Sequence, residues 1–437
     1  MDSLRLYLVT WNVATQAPEE DVTALLGLSN RSPKDKLPDL YFIGLQEVKS
    51  QPQNMLLDAL FDDPWSNTFR TVMAKHKYIK IKTIRLQGLV LSVFSLSHHL
   101  THLRDIQTQF TKTGLGGMWG NKGAVTIRFN LYGCSICVVN SHLTPHDHLL
   151  KERVADYNTI VGSQSFSVGE TSRIFLHDYV FWIGDLNFRL ADPNVLTGPE
   201  IKRLVECGEL KSLLDRDQLR QAMALGSAFS EMTEQLPSFP PTYKHHLHSS
   251  AYDLKRRPSW TDRVLHFVHK NVYENITLHA EQLSYTSVPQ YEQSDHKPVI
   301  SEFAIKVFSD YHDRLVEFMP VEDWYLDEMN SVFCHIGDDV KHSPWDWVGL
   351  YKEDFSSLDD YLCYVYVSTT PFWAEQSINQ SSQNRNTLKL TFPDTAARLP
   401  GKYQVVYVTN SPVSVLGISA PFQVYSPRQP TFDWGQS

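Results

Sequence analysis

The stretch Tyr179-Val180-Phe181-Trp182-Ile183-Gly184-Asp185-Leu186-Asn187-Phe188-Arg189 decides the fold class. It opens on a compact apolar run of the kind seen in strands buried on both faces. The run stops at a glycine, and an aspartate and an asparagine follow at once. The same arrangement recurs on either side of this stretch. Residues 4–9 lead to Trp11-Asn12, residues 40–45 to Gln46-Glu47, and residues 135–139 to Asn140-Ser141-His142. Trp260-Thr261-Asp262-Arg263 and Ser294-Asp295-His296 complete the set. Acidic, Asn and His residues thus sit where apolar runs end. In packed sheets such ends converge on one rim, where layered α/β proteins commonly place their sites.

The surrounding chain supports a mixed architecture. Residues 125–129 and 135–139 flank Tyr132-Gly133 and predict a hairpin. Residues 198–225 carry helix-type spacing, with Asp215-Arg216-Asp217-Gln218 expected as a charged surface turn, and Phe239-Pro240-Pro241-Thr242 is a hard break. After Val307 the character changes to short aromatic-rich strands, at residues 345–351, 361–367, 388–392 and 403–408. The polar segment 377–386 predicts a loop. At 437 residues the chain exceeds one ordinary core, and the boundary is expected near residues 308–315.

Composition narrows the classes. The chain has a net charge of −9, which opposes non-specific binding to long nucleic acid. A small polyanion can still bind where a metal and cations are concentrated locally. The five cysteines are scattered and fit a reducing cytosol, and Cys134 and Cys137 are read as packing residues in a strand. There is no run of eighteen apolar residues, so any membrane contact is expected to be peripheral.

The strand-end residues are those of metal-assisted phosphate hydrolysis. Glu47, Asn12 and a carboxylate such as Asp295 offer hard oxygen ligands to Mg²⁺, which accepts few protein ligands. Asp185 could take a proton from an attacking water that Asn187 positions. His296 could donate to a phosphate oxygen, with Asp262 orienting its imidazole and keeping it protonated. No Ser or Cys lies in a nucleophile motif.

At these residues the chain resembles the inositol polyphosphate 5-phosphatases of the exonuclease–endonuclease–phosphatase superfamily. The matching stretches are TWNV, IGLQE, WGNKG, NSHL, WIGDLNFR, PPTYK, RPSWTDRVL and SDHKPV, in family order. Residues 316–425 resemble the SKICH domain, at SPWDWVGLY and SAPFQV, which points to the SKICH-containing subgroup. The resemblance implies a four-layer α/β sandwich of the DNase I-like type over residues 1–308. A linker would follow at 309–315 and an all-β immunoglobulin-like SKICH domain at 316–430. It implies Mg²⁺-dependent removal of the 5-phosphate from phosphoinositides, the 4,5-bisphosphate and 3,4,5-trisphosphate in particular, and from soluble inositol polyphosphates.

By resemblance Asn12, Glu47 and Asp295 serve the metal site, and Asp185 and Asn187 handle the water. Asp262 pairs with His296, and His142 touches the scissile phosphate. Asn121, Lys122 and Arg153 contact the substrate, and Tyr243, Lys244 and Lys255 meet the neighbouring 4-phosphate. The family often has Asn where Val154 stands, and the loop from His245 to Asp253 is shortened. His245, His246 and His248 are expected in a solvated loop.

Leu115, Met118 and Trp119 form either a packed turn or an apolar lip for the bilayer interface. Lys255-Arg256-Arg257 is expected to face an anionic headgroup or membrane. The implied partners are phosphoinositides, soluble inositol phosphates and an unidentified protein bound through SKICH, with no nucleic acid. The implied location is cytoplasmic, with recruitment to plasma membrane, ruffles or endoplasmic reticulum. A nuclease of the same superfamily and a SKICH-mediated adaptor are the competing classes.

Overall fold

The computed structural model describes residues 3–29, 36–49, 63–114, 119–270, 273, 276–308, 315–337, 340, 342–367 and 387–428. The segments 115–118, 309–314 and 377–386, on which the lip, linker and polar-loop readings fall, lie outside the described residues.

The strands of the first part are β1 (Ser3–Asn12), β2 (Leu40–Gln46), β3 (Tyr78–Leu86), β4 (Leu89–Leu96), β5 (Leu103–Gly114) and β6 (Trp119–Leu131). They continue with β7 (Cys134–His142), β8 (Tyr179–Asp185), β9 (Asp262–Val268), β10 (Ala280–Ser287) and β11 (Val299–Lys306). One sheet runs β10-β11-β1-β2-β4-β3 and the other β5-β6-β7-β8-β9. The β6–β7 hairpin closes with Leu131 opposite Cys134, and Tyr132 and Gly133 both take positive φ (48° and 77°), the pattern of a tight primed turn.

The sheets pack face to face through Phe42, whose ring lies 6.2 Å from both Phe129 and Phe181. Approach is closest at Gly44, where an added Cβ would stand 2.6 Å from Ile183 Cδ1 and 2.9 Å from Asn140 Cγ. Helix α1 (Pro64–Lys75) covers the first sheet. Asp63 caps it by accepting from Ser66 N at 3.0 Å, Pro64 suits the first turn, and Trp65, Phe69 and Met73 line its buried face. Helix α2 (Leu150–Ser163) covers the other sheet with Tyr157 and Ile160. The expected helical region resolves into α3 (Gly198–Glu206), α4 (Leu210–Leu214) and α5 (Gln218–Ala224). The layers are therefore helix, sheet, sheet, helix.

Two readings of the sequence need correction here. The charged turn before α5 is a surface feature only at Asp215 and Arg216, because Asp217 is fully buried against Arg263. His245 is buried beneath Tyr252, ring centroids 4.5 Å apart, while His246 and His248 are exposed. Cys134 and Cys137 are both buried, since both faces of their sheet are covered, and burial pushes the Cys134 thiol up to about 12.

His177 gives the fold an acid limit. Burial, and then the Arg128 guanidinium, whose Nε donates to its Nε2 at 3.1 Å, bring its pKa down from 6.5 to about 4. The unfolded chain therefore binds a proton that the folded chain refuses. The stabilisation is whole above about pH 6.5 and fades toward pH 4, by roughly 3 kcal/mol in all. The melting temperature is expected to fall across that window, and less steeply in His177→Gln. Identical slopes for the two proteins would remove His177 as the cause.

The chain divides into two compact units, residues 1–97 with 107–311, and residues 98–106 with 312–437. The second is all-β. Strands β12 (Val316–Phe318), β14 (Asn330–Ile336) and β17 (Thr387–Phe392) form one of its sheets. The other is built from β13 (Trp324–Tyr325), β15 (Trp347–Lys352), β16 (Cys363–Tyr366), β18 (Gly401–Val408), β19 (Val415–Ile418) and β20 (Phe422–Tyr425). Val332, Cys334 and Leu390 from the first meet Leu350, Val405 and Tyr407 from the second in one core around Trp324. Residues 104–106 bond within this unit: Arg104 Nη1 donates to the Val415 carbonyl at 2.6 Å, Asp105 N to Ser414 Oγ at 2.9 Å, and Ile106 N to the Val413 carbonyl at 2.8 Å.

Candidate active site

Strand register gathers the polar strand ends. Asn12 lies opposite Gln46, Thr10 opposite Val299, and His142, Asp185 and Asp262 stand in line across β7, β8 and β9. Just behind them Asn140 ties the two sheets together. Its Oδ1 accepts from Gln46 Nε2 at 2.7 Å, and its Nδ2 donates to the Leu45 and Val90 carbonyls at 3.1 and 2.8 Å. The rim is thus fixed from both sheets.

Asp185 is the centre of the site. Its Oδ2 accepts from Asn12 Nδ2 at 3.0 Å and lies 3.2 Å from His142 Nε2 and 3.9 Å from His296 Nε2. Burial alone would raise its pKa, but His142, His296 and Lys122 together hold the carboxyl below the usual carboxylate range. Its Oδ1 accepts from Asn187 N at 3.1 Å, and Asn187 Nδ2 donates to the Leu143 carbonyl at 3.0 Å. Asn187 and Glu47 both adopt left-handed backbone, φ 57° and 56°, a strain that collects at working sites.

His296 is positioned from behind. Its Nδ1 lies 2.9 Å from Asp262 Oδ2, which also accepts from Thr242 Oγ1 at 2.6 Å and Thr261 Oγ1 at 2.8 Å. Burial opposes the charged ring, but Asp262 and Asp185 overcome it and raise the pKa to about 9. His142 behaves oppositely. Burial and then the Lys122 ammonium, 2.6 Å from its Nε2, push its pKa down. Asn121, Lys122, Glu47 and His142 line one cavity of about 270 Å³, together with Thr15, Val48, Lys49, Gln87 and Gly88.

Tyr243 lies with its ring centroid 4.5 Å from that of His296, and Lys244 pairs with Asp295 at 3.2 Å. Asn12, Glu47, Asn121, Lys122, His142, Asp185, Asn187, Tyr243, Lys244, Asp262, Asp295 and His296 therefore come together at this rim. Arg153 does not reach its surface. It is fully buried, and its guanidinium donates to the carbonyls of Thr144 and His146 and to Gln218 Oε1. With Asp156, which accepts from Thr144 N and Oγ1, it pins the loop that follows His142. Lys255 is exposed on its loop, its backbone N held by Asp253, and Arg257 is spent on Asp147 and three carbonyls between residues 190 and 196. The basic cluster is thus not one face. The sequence reading missed Arg189, Lys49 and Gln87; for Arg189 its place inside the quoted stretch was the signal.

Two oxygen donors remain available to a hard cation. Glu47 is about two-fifths exposed with its carboxylate 3.9 Å from His142, and Asn12 Oδ1 accepts only from Ala14 N, at 3.0 Å, among the described residues. Asp185, Asp262 and His296 also present ligand atoms within 4.8 Å of one another. Three donors already occupy Asp262 Oδ2, so its task is to hold His296. A donor set of carboxylate and amide oxygens fits a hard divalent ion.

Comparison with known proteins agrees with this geometry. The model of endonuclease/exonuclease/phosphatase family 2 matches residues 9–302, and that of the SKICH domain matches residues 316–424. Inositol polyphosphate 5-phosphatase K of Mus musculus is 34% identical over 434 residues, 97% of this chain and 90% of that protein. Phosphatidylinositol 4,5-bisphosphate 5-phosphatase A of Homo sapiens is 34% identical over 97% of this chain, which spans only 42% of that relative's length.

Among solved structures, the inositol polyphosphate 5-phosphatase domain of SPsynaptojanin, in complex with inositol (1,4)-bisphosphate and calcium ion, superposes with a TM-score of 0.60. It is 28% identical and covers 70% of this chain and 85% of its own. A Cimex nitrophorin ferrous NO complex shares the fold at TM-score 0.56 and 24% identity, over 70% of this chain and 99% of its own, so the fold does not by itself define the chemistry. The chain belongs to endonuclease/exonuclease/phosphatase family 2, with a DNase I-like catalytic fold followed by a β-rich SKICH domain. Within that family its place is with the SKICH-containing inositol polyphosphate 5-phosphatases.

Proposed function

We propose that this protein is a Mg²⁺-dependent phosphatase that removes the 5-phosphate of phosphoinositides and of soluble inositol polyphosphates. The observation that carries the reading is the convergence of Asp185, Asn12, His142 and an Asp262-held His296 on one rim. The relatives support the substrate class by their names, and the inositol (1,4)-bisphosphate in the SPsynaptojanin complex is what loss of a 5-phosphate would leave.

Each residue has a task in such a reaction. Asp185, ionised across the working range, accepts the proton of the attacking water, and Asn187 limits where that water stands. His296, cationic to about pH 9, donates to a phosphate oxygen as charge builds. Lys122 and His142 face the same negative charge from the cavity wall. Glu47 and Asn12 would hold Mg²⁺, which when bound offsets phosphate charge. Asp295 is already paired with Lys244, so its contribution there is electrostatic.

The deciding measurement is phosphate release from a panel of phosphoinositides and soluble inositol phosphates, with Mg²⁺ and with chelator. Release confined to 5-phosphorylated members and lost with chelator is the expected result. Nicked plasmid without phosphate release would favour the nuclease instead. Within the same panel, Lys244→Ala is expected to depress activity on the 4,5-bisphosphate lipid by about tenfold. An equal loss on a substrate lacking the 4-phosphate would contradict that role.

The SKICH unit is proposed to recruit the enzyme from the cytoplasm to a membrane through a lipid or protein partner. Support comes from its exposed Trp345, Tyr361, Leu362 and Tyr364. No helix among the described residues is long and apolar enough to cross a membrane.

A further inference from the structure

The second unit carries a run of aromatic rings on the outer face of one sheet. In β15, Val348 and Leu350 point into the core, so Trp347, Gly349 and Tyr351 point away from it. Register sets Tyr366 opposite Trp347 and Tyr364 opposite Gly349, on that same face. A Cβ on Gly349 would stand 2.7 Å from Trp347 Cζ3 and 2.8 Å from Tyr351 Cε2, so glycine is what lets the two rings close over the strand. The rings then follow one another from Trp345 to Tyr366 (6.1 Å between centroids), Tyr364 (5.4 Å), Trp347 (5.8 Å) and Tyr361 (5.4 Å). All these pairs meet edge-on, at interplanar angles of 64° to 86°.

This platform is open to solvent. Trp345 is 64% exposed, Leu362 50%, and Tyr361 and Tyr364 43% each. Large apolar groups exposed this close together mark a contact surface. Its border is acidic. Tyr351 is fully buried, and its hydroxyl donates to the Leu358 carbonyl at 2.8 Å, which holds the loop 352–360 beside the rings. That loop bears Glu353, Asp354, Asp359 and Asp360 against a single lysine, Lys352. Burial and then the Asp359 carboxylate raise the pKa of the Tyr351 hydroxyl, so the negative charge is felt at the platform. An anionic lipid surface is repelled by such a border. Moreover, β16 is the last strand of its sheet, and an extended polypeptide is what a sheet edge accommodates.

We propose that this face of the SKICH unit binds an extended, arginine- or lysine-bearing segment of a partner protein. The segment's cations lie on the ring faces around Trp347 and Tyr364, and Asp354 and Asp359 complete the charge match. Ring faces attract cations through their quadrupole, and edge-to-face packing leaves such faces open. The unit already makes one contact of this kind, with the Arg428 guanidinium 4.1 Å over the Tyr325 ring. In an extended chain, alternate residues fall on one side about 6.6 Å apart, close to the 5.4 to 6.1 Å spacing of the rings. The proposal rests on the recruiting role proposed above for this unit and chooses a protein partner over a lipid.

The probe is a short fluorescent peptide alternating arginine with valine, beside a citrulline version that keeps the shape and loses the charge. Anisotropy titrations use the full-length protein. Wild type is expected to bind the arginine peptide at least about tenfold more tightly than the citrulline peptide. Tyr364→Ser and Asp354→Lys are each expected to reduce that preference to about threefold or less. Both residues are exposed and neither belongs to the catalytic rim, so circular dichroism and phosphate release are expected to match wild type. Binding is read without turnover, so it stands or falls independently of the phosphatase reading.

Equal preference in wild type and Tyr364→Ser would mean that the cations bind elsewhere on an acidic chain, and would overturn the proposal. So would a wild type that does not distinguish arginine from citrulline. Vesicles of phosphatidylcholine and phosphatidylserine form the second arm. Vesicle binding that wild type shows and Tyr364→Ser lacks would give the face to a membrane instead. Arginine preference lost in Tyr364→Ser, with that variant still recruited to membranes in cells, would sink the recruiting role and leave the binding face standing.

Discussion

Asp185→Asn is expected to lower turnover by roughly a hundred- to ten-thousand-fold with the protein still folded. The substitution keeps the side chain's shape and one acceptor oxygen for Asn12 Nδ2, now 3.0 Å away. What it removes is the negative charge that His142, His296 and Lys122 share. The proton-accepting atom is lost, and the cations on either side lose the anion that fixes their spacing. Phosphate release read beside a melting curve checks this. A folded variant that keeps more than about a tenth of the activity would remove Asp185 from the chemistry.

Arg263→Met is expected to have the largest effect on stability. Arg263 is fully buried and donates from Nη1 to both oxygens of Asp217, at 3.1 and 3.0 Å, and from Nε to Glu234 at 2.6 Å. Tyr285 adds a hydrogen bond to Glu234 at 2.9 Å. Burial works against the guanidinium's charge, but the two carboxylates overcome this and hold its pKa above the ordinary value. Methionine fills much of the volume and leaves two carboxylates facing each other in the dry interior. Breaking such a network costs about 3–5 kcal/mol. In a unit of this size that lowers the melting temperature by about 10 °C. A drop below about 2 °C would mean that solvent reaches the carboxylates.

The sequence was most legible where a buried strand ends in a polar residue. Runs such as residues 40–45 and 179–183 are apolar throughout because both faces of these sheets are covered, and their sudden end marks the rim. The strand β5 was not legible. Its LRDIQTQFTKTG neither alternates cleanly nor stays apolar, and only its neighbours make it a strand. Charge misled in both directions. Asp217 and Arg153 read as solvent-facing or substrate-facing groups, yet both are interior, held by partners distant in sequence. Arg189 went unassigned because its partners, the Asn187 side chain and the Tyr243 ring, are visible only in three dimensions. The site itself was legible as a set of residue types, but the division of labour between Asp262 and Glu47 required distances.

The hydrogen bonds of residues 104–106 have a consequence for how the protein is made. Asp105 and Ser414 are 309 positions apart, so this part of the second unit cannot close until residue 414 has left the ribosome. A chain released early, at about residue 308, leaves Arg104, Asp105 and Ile106 without the acceptors that residues 413–415 provide. Grafting the second unit onto another enzyme therefore means moving two pieces of polypeptide.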